Sequence, residues 1–451
     1  RVMAVWSIVS FSALSEDHRI DAEHYRPECL AQAEAVAAMS NAPLASLADV
    51  SDGNHISIAE SFTKTGVRYL RGQDLSDFFI ADASPVHIPE AVYTNLRRSH
   101  ILPGDVLLGI VATIGAVSFV TDRFGKLTGN CKIAILRPRK IEGEFLAVYF
   151  LSELGQREIH RWARGTVQTG VILPDLKKLS IPIIPEQIRT CITETVRAAY
   201  SAREIAVARY AEAEAVLTDA LGLDRVDLTP RLFYEDTYAH AAGAARFDAE
   251  YHSPRMQNVI KTLSTSGKTI GDVVTLMKRR FKAIPGKPFD YIEIADVSTA
   301  GTAGSSTVAG EDAPGRATWT VKPGDIITTT VRPIRRLSAI ILPEQDGFVC
   351  SSGFAVLRPR DIEPELLLTY LRLPLVAELL DLYTTASMYP AISTADLLRI
   401  PLQIPDERTR TTIASMVRVS LAARAESISL LDEAKNMVEN AIVPLQSHIQ
   451  T

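Results

Sequence analysis

The sequence predicts an α+β fold built twice in tandem, each copy followed by a long helix. Three observations predict it. The first is internal duplication: RIDAEHYRP from Arg19 returns as RFDAEYHSP from Arg246, and Pro103-Gly104-Asp105 returns as Pro323-Gly324-Asp325. LRPRKIE from Leu136 returns as LRPRDIE from Leu357, and LKKLSIPIIPEQIRT from Leu176 as LLRIPLQIPDERTR from Leu397. The offset stays at about 220 residues, far beyond the roughly 20–50 of a solenoid repeat, so the duplicated unit is a domain. The second observation is order within each copy, where short strand-like runs precede helices and do not alternate with them. The third is a long apolar stripe at helical spacing after each copy.

Each copy opens on a short acidic and aromatic leader (Asp21, Glu23, Tyr25; Asp248, Glu250, Tyr251). Strand-like runs rich in Val, Ile, Thr and Tyr follow, bounded by Gly, Pro, Asp and Asn. In copy one they include VRYLRG at Val67, DVLLGIVAT at Asp105, AVSFVTD at Ala116 and CKIAILRP at Cys131. Copy two answers with DYIEIADV at Asp290, DIITTTV at Asp325, LSAIILP at Leu337 and GFAVLRP at Gly353. In each Pro-Gly-Asp, glycine supplies a turn and aspartate caps it, a structural role. After LRPR the pattern turns helical, then passes through a polar loop to a short strand ending in proline.

Pro185 and Pro405 open the two longest helical patterns, with Glu186 and Asp406 suited to a helix start and Gly222 to a stop. One stripe runs through Ile188, Cys191, Ile192, Thr195, Val196, Ala199, Ala202, Ala206, Ala213, Val216 and Leu221. The other runs through Ile413, Met416, Val417, Leu421, Ile428, Leu431, Ala434, Val438, Ala441 and Leu445. At 1.5 Å per residue the first would be about 54 Å long. Neither stripe closes a core alone, so the two are expected to pair antiparallel as a rod. The expected division is 1–185, 186–222, 223–405 and 406–451.

The 451 residues are 47% hydrophobic and 22% charged, an ordinary composition for a protein with real cores. No apolar run reaches the roughly 18 residues of a membrane span, and no membrane partner is expected. The first residues, RVMAVWSIVSFSAL, lack a basic region leading to a cleavage site, and a cytoplasmic location is the default. Four dispersed cysteines suggest neither a zinc module nor a disulfide scaffold. The net charge of −5 does not decide for or against nucleic acid, because phosphates respond to local basic patches.

The order of Pro-Gly-Asp strand, LRPR, helix, polar loop, Ile-Pro strand and long helix, repeated, resembles the DNA-specificity (S) subunit of type I restriction–modification enzymes. GDVLLGIVATIGAVSFVTD resembles a strand pair of their target-recognition domains, and KKLSIPIIPEQIRT the junction with the spacer helix. The resemblance covers essentially the whole chain. It implies two tandem target-recognition domains, an antiparallel coiled coil between them and no catalysis in this chain. The implied partners are double-stranded DNA read as a bipartite gapped site, adenine methyltransferase subunits and motor–nuclease subunits. No cofactor is implied here; S-adenosylmethionine belongs to the partner methyltransferase. Two alternatives stand beside this reading: the specificity subunit of a combined methyltransferase–nuclease enzyme, and a two-domain protein-binding scaffold.

DNA binding requires Lys and Arg over phosphates and bidentate side chains at base edges. Copy one offers Lys64, Arg68, Arg71, Gln73, Arg97, Arg98, and in its polar loop Arg164, Thr166, Gln168 and Thr169. Copy two offers Lys278, Arg279, Arg280, Lys282, Arg332, Arg335, Arg336, and in its loop Thr384, Thr385, Ser387 and Tyr389. The loops RGTVQTGV and TTASMYPA hold equivalent places with different content, as two readers of different sequences would. Enzyme signatures fail. Thr262 stands where a phosphate-binding loop ending in Gly267-Lys268-Thr269 needs glycine, and no Asn/Asp-Pro-Pro-Tyr run is present. Asp175 and Lys177 lack a second acidic partner for nuclease chemistry, and the nine histidines show no metal-ligand spacing.

Overall fold

The computed structural model describes residues 6–11, 14, 19–80, 85–165, 169–385 and 388–442. The chain forms two compact units, 1–202 with 426–451 and 203–425, so both long helices are shared between them. In unit one eight strands make two sheets: β1 (Ala48–Asp52), β2 (Val67–Leu70), β3 (Val86–Ile88), β4 (His100–Ile101), β5 (Val106–Gly109), β6 (Val117–Phe119), β7 (Leu127–Gly129) and β8 (Ile133–Pro138). One sheet has the order β1-β8-β5-β6, all antiparallel, and the other β3-β2-β7-β4, with β2 and β7 parallel.

Unit two repeats this with β9 (Val274–Met277), β10 (Phe289–Ile292), β11 (Ser306–Val308), β12 (Ala317–Thr320), β13 (Ile326–Thr329), β14 (Ser338–Ile340), β15 (Val349–Ser351) and β16 (Phe354–Pro359). The orders are β9-β16-β13-β14 and β11-β10-β15-β12, again with one parallel pair in the second sheet. The duplication therefore extends to strand order and direction.

The repeated motifs have a physical cause. Gly104 (φ 89°) and Gly324 (φ 80°) turn the chain through left-handed conformations that suit glycine. Each turn delivers a buried aspartate to the start of the next strand, opposite the arginine of LRPR. Val106 pairs with Leu136 and Ile326 with Leu357, so Arg137 and Arg358 face Asp105 and Asp325. Arg137 clamps Asp105 with two bonds, Nε to Oδ1 at 2.9 Å and a terminal nitrogen to Oδ2 at 2.8 Å. The Leu102 amide donates to the same carboxylate at 2.8 Å, as a capping aspartate should accept. In unit two Arg358 reaches Asp325 at 2.5 Å, the Lys322 amide donates at 2.9 Å, and Arg279 adds a second guanidinium.

Beyond LRPR the helical stretch is broken in each copy. Unit one has α1 (Gly143–Leu151) and α2 (Glu153–Arg161), separated by Ser152, whose hydroxyl accepts from the Gly155 amide at 3.3 Å. The long helix α3 (Glu186–Ala220) follows. Unit two has α4 (Pro364–Arg372) and α5 (Pro374–Leu382), divided where Pro374 cannot donate, and then α6 (Glu407–Ile442). Phe145, Leu146, Val148 and Tyr149 of α1, and Leu366, Leu367 and Tyr370 of α4, are buried in their units' cores.

The long helices pair antiparallel. In unit one the core holding Ile192, Val196 and Ala199 also holds Ala434, Val438 and Ile442. In unit two Tyr210, Ala213 and Leu217 share a core with Ile413 and Val417, and the Ser420 hydroxyl donates to the Ala206 carbonyl at 2.7 Å. Small residues at the seam (Ala199, Ala202, Ala206, Ala213, Ala434) permit this approach. Two expected stripe members, Cys191 and Ile428, are exposed, and Leu445 lies outside the described residues. The duplication reaches the anchors too: Arg189–Glu142 and Arg197–Glu144 in unit one match Arg410–Glu363 and Arg418–Glu365 in unit two.

The leader motif locks the end of α2 in unit one and of α5 in unit two. Arg19 grips Asp21 with two bonds of 2.8 and 2.5 Å and donates to the Ala163 carbonyl just after α2. Arg246 grips Asp248 at 2.8 Å twice, donates to the Leu382 carbonyl at 2.8 Å and lies between the Tyr251 and Tyr383 rings. His24 donates from Nδ1 to the Arg161 carbonyl at 3.1 Å and packs edge-on to Trp162. Burial, then the Arg161 guanidinium, hold its pKa down at about 4. The unfolded chain binds that proton from about pH 6.5 downward, so unit one loses stability as pH falls from there towards 4. Copy two carries tyrosine at the equivalent position, Tyr251. His24→Tyr is therefore expected to remove several degrees of the acid-induced fall in Tm between about pH 7 and 5. Identical pH profiles for the two proteins would show that His24 is not responsible.

Candidate nucleic-acid interface

In each unit the hairpin between two strands of the first sheet meets the polar loop. In unit one, the β5–β6 turn carries Ala112 in a left-handed conformation (φ 67°). The Val171 amide donates to the Ile110 carbonyl at 2.9 Å, while Arg164 and Gly170 exchange two backbone bonds of 2.8 Å across the loop's neck. In unit two the equivalent bond runs from Ile392 to the Thr330 carbonyl at 2.9 Å, and Thr384 and Thr385 pair with Ile392 and Ala391 across the neck. The Arg332 amide also donates to the Pro390 carbonyl at 2.8 Å. Each unit thus presents a turn and a loop fastened side by side on a rigid sheet, a geometry suited to holding recognition side chains.

The content differs between the two. Where unit one has Ala112, Thr113, Ile114, Gly115 and Ala116, unit two has Arg332, Pro333, Ile334, Arg335 and Arg336. Arg332 (φ 50°) and Arg336 (φ 57°) hold left-handed backbone without being glycine, a strain that persists only where the surroundings enforce it. The Arg332 guanidinium lies 5.5 Å from the Tyr389 ring centroid, joining turn to loop by a cation–π contact. Arg332, Arg335, Arg336, Thr385 and Tyr389 are exposed and Thr384 is half-buried.

The predicted cations divide sharply. Lys278, Arg280 and Lys282 are exposed at the end of β9, with Arg280 over the Trp319 ring. None of these three, nor Arg332 or Arg335, pairs with an acidic side chain among the described residues, while Arg336 is attracted to the Glu214 carboxylate. In unit one Lys64, Gln73, Arg97 and Thr169 are exposed, and Arg98 is exposed while touching Asp52 at 3.1 Å. Four others are internal. Arg68 is buried, 5.5 Å from the Phe124 ring centroid. Arg71 clamps Asp74, Arg164 is paired at 2.7 Å with the buried Asp175, and Arg279 belongs to the Asp325 cluster. These four have internal partners, and Arg71, Arg164 and Arg279 keep part of their side chains in contact with solvent. Thr166, Gln168 and Ser387 lie outside the described residues. Asp175, considered for nuclease chemistry, is the buried partner of Arg164.

Sequence reasoning missed the partnership between turn and loop. The signal available was the substitution of a glycine-containing turn by Pro-Ile-Arg-Arg at equivalent positions. It also missed Trp319 as the support for Arg280, which no spacing rule indicates. Among the described residues no helix is long and apolar enough to cross a membrane.

No protein-family model and no curated protein matches the chain. Among solved structures it is similar to the type I restriction–modification system S subunit from M. genitalium, at 12% identity and a TM-score of 0.40, over 90% of this chain and 95% of that one. It is similar to the HsdS subunit from Thermoanaerobacter tengcongensis at 16% identity and a TM-score of 0.30, over 89% and 96% of the two chains. A third similarity is to a chain from a study of complex assembly and conformational transition of the type I R-M system, at 17% identity and a TM-score of 0.30, over 89% and 97%.

Proposed function

We propose that the chain is a non-catalytic DNA-specificity subunit, in which each unit reads one half of a bipartite, gapped duplex site. The observation that carries this reading is one scaffold built twice, bearing turns of unlike sequence at equivalent places, largely half-buried in unit one and exposed at Arg332, Arg335 and Arg336 in unit two. Identical surfaces would suit a symmetric target; unlike ones suit an asymmetric one. Exposed Lys278, Arg280, Lys282, Arg332 and Arg335, with no ion-pair partner among the described residues, supply phosphate-seeking charge. The paired helices offer adenine methyltransferase subunits, and motor–nuclease subunits in a larger complex, a docking surface separate from the loops.

Selection from a random duplex library, in the presence of the partner methyltransferase, tests this. A gapped two-part sequence is expected, and exchanging residues 160–175 for those of another such subunit should alter one half only. With about 6–10 phosphates contacted, log affinity against log salt should fall with a slope of roughly −5 to −9. Lys278→Glu, Arg280→Glu and Lys282→Glu together should weaken binding across all sequences and shallow that slope by about 1 per lost contact. Absence of any enriched duplex, with partner assembly intact, would leave the chain a protein-binding scaffold.

A further inference from the structure

A second cluster lies apart from the loops, in the segment that leads into unit two's leader. Asp236 and His240 flank the start of the short helix Tyr238–Ala244, and the chain then folds back so that His252, at the end of Ala249–His252, meets them. Both imidazoles aim Nδ1 at one oxygen of Asp236, His240 at 2.6 Å and His252 at 2.5 Å, with the rings nearly perpendicular. As a linear pattern the histidines show no ligand spacing. Asp236-x3-His240 becomes one only on a helical turn, and His252 joins only through the fold.

The backbone fixes which nitrogen of His252 can serve as a ligand. Its Nε2 lies 2.7 Å from the Arg246 carbonyl, which can only accept, so Nε2 carries the hydrogen. In the neutral ring Nδ1 then bears a lone pair, and that lone pair faces a carboxylate oxygen. A proton on Nδ1 joins the two in the metal-free chain, and a divalent cation can take that proton's place between them. The carbonyl at Nε2 is the outer-shell bond that fixes a metal-binding imidazole and raises its basicity. His252 is buried while His240 and Asp236 reach the surface, which leaves a coordination position open to solvent.

We propose that Asp236, His240 and His252 form a structural site for a borderline divalent cation of the zinc class, with water as fourth ligand. Two nitrogens and one carboxylate oxygen suit that class better than calcium or magnesium, which favour all-oxygen sites. Donors around such an ion sit about 3.3 Å apart, so the two contacts to Asp236 open by less than about 1 Å while the histidine nitrogens, within 4.8 Å of each other, close in, and exposed His240 can supply the movement. The ion clips residues 236–252 into one turn and thereby sets Arg246 and Asp248, which lock the end of α5. The site belongs to the second copy alone, because Tyr25 occupies the position equivalent to His252.

The test uses the full chain, freed of metal by a chelator and titrated with Co2+, then with Zn2+. One equivalent of Co2+ should bind with tetrahedral visible absorption and no thiolate charge-transfer band, and Zn2+ should displace it. The missing thiolate band excludes the exposed Cys191 as the ligand. His240→Gln, a surface change, should weaken binding by at least the ~10–100-fold that loss of an outer-shell partner costs. Its Tm in chelator should equal that of the unaltered chain. Failure of the folded chain to bind either ion, a thiolate band, or unchanged affinity in His240→Gln would overturn the assignment.

Discussion

Asp325→Asn is expected to lower the stability of unit two by on the order of 3–5 kcal/mol, because it removes one charge and strands two. The carboxylate is fully buried and accepts from Arg358, Arg279 and the Lys322 amide. Asparagine keeps the shape but leaves two guanidinia with less than their full compensation. Part of the cost is recovered because Arg279 also donates to the Thr320 carbonyl at 3.0 Å, and both arginines retain some access to water. Asp105→Asn should cost less, since only Arg137 is stranded and that guanidinium keeps its 3.0 Å bond to the His100 carbonyl. Urea unfolding of the two variants measures the difference. Equal midpoints, or a loss below about 1 kcal/mol for Asp325→Asn, would show that the cluster relaxes without penalty.

Val196→Asp is expected to open the helix seam of unit one. Val196 is buried in the core that contains Ala434 and Val438. Aspartate there loses the valine's packing and places a carboxylate with no partner among small aliphatic side chains, a cost on the order of 3–5 kcal/mol. Ile205→Asp on the same helix is the control, because Ile205 is already 47% exposed and should change stability by under about 0.5 kcal/mol. Comparable loss of helical circular dichroism signal on heating for both variants would mean that the stripe is not the seam.

These two predictions separate what the sequence makes legible from what it does not. Duplication, the strand runs and both long helices follow from periodicity and punctuation, because burial imposes a repeat that survives in the linear order. Partner choice leaves no such trace. Arg279 and Arg280 are neighbours of identical chemistry, yet one enters the core to meet Asp325 and the other lies over Trp319 at the surface. Extended backbone sends successive side chains to opposite faces, and only the bonds that tie this segment to β12, Arg280 opposite Trp319 and the Thr320 amide to the Arg279 carbonyl, decide which faces in. Arg71 and Arg164 read as phosphate contacts for the same reason: a basic residue looks alike whether its acid lies three positions away, like Asp74, or eleven, like Asp175. The Pro-Gly-Asp turn was legible as structural, but its bond to LRPR was not, since the two motifs are joined only across a sheet. The metal-class cluster was hidden similarly, because its third donor arrives by a reversal of the chain.

The division of the long helices between units has a consequence for synthesis. Unit two is drawn from one uninterrupted stretch, 203–425, and can close as soon as that stretch has left the ribosome. Unit one is translated earlier but borrows Ala434, Val438 and Ile442 from the far end of α6. Its sheets therefore emerge first and its hydrophobic interior is sealed last, so that the order of birth and the order of completion run opposite ways.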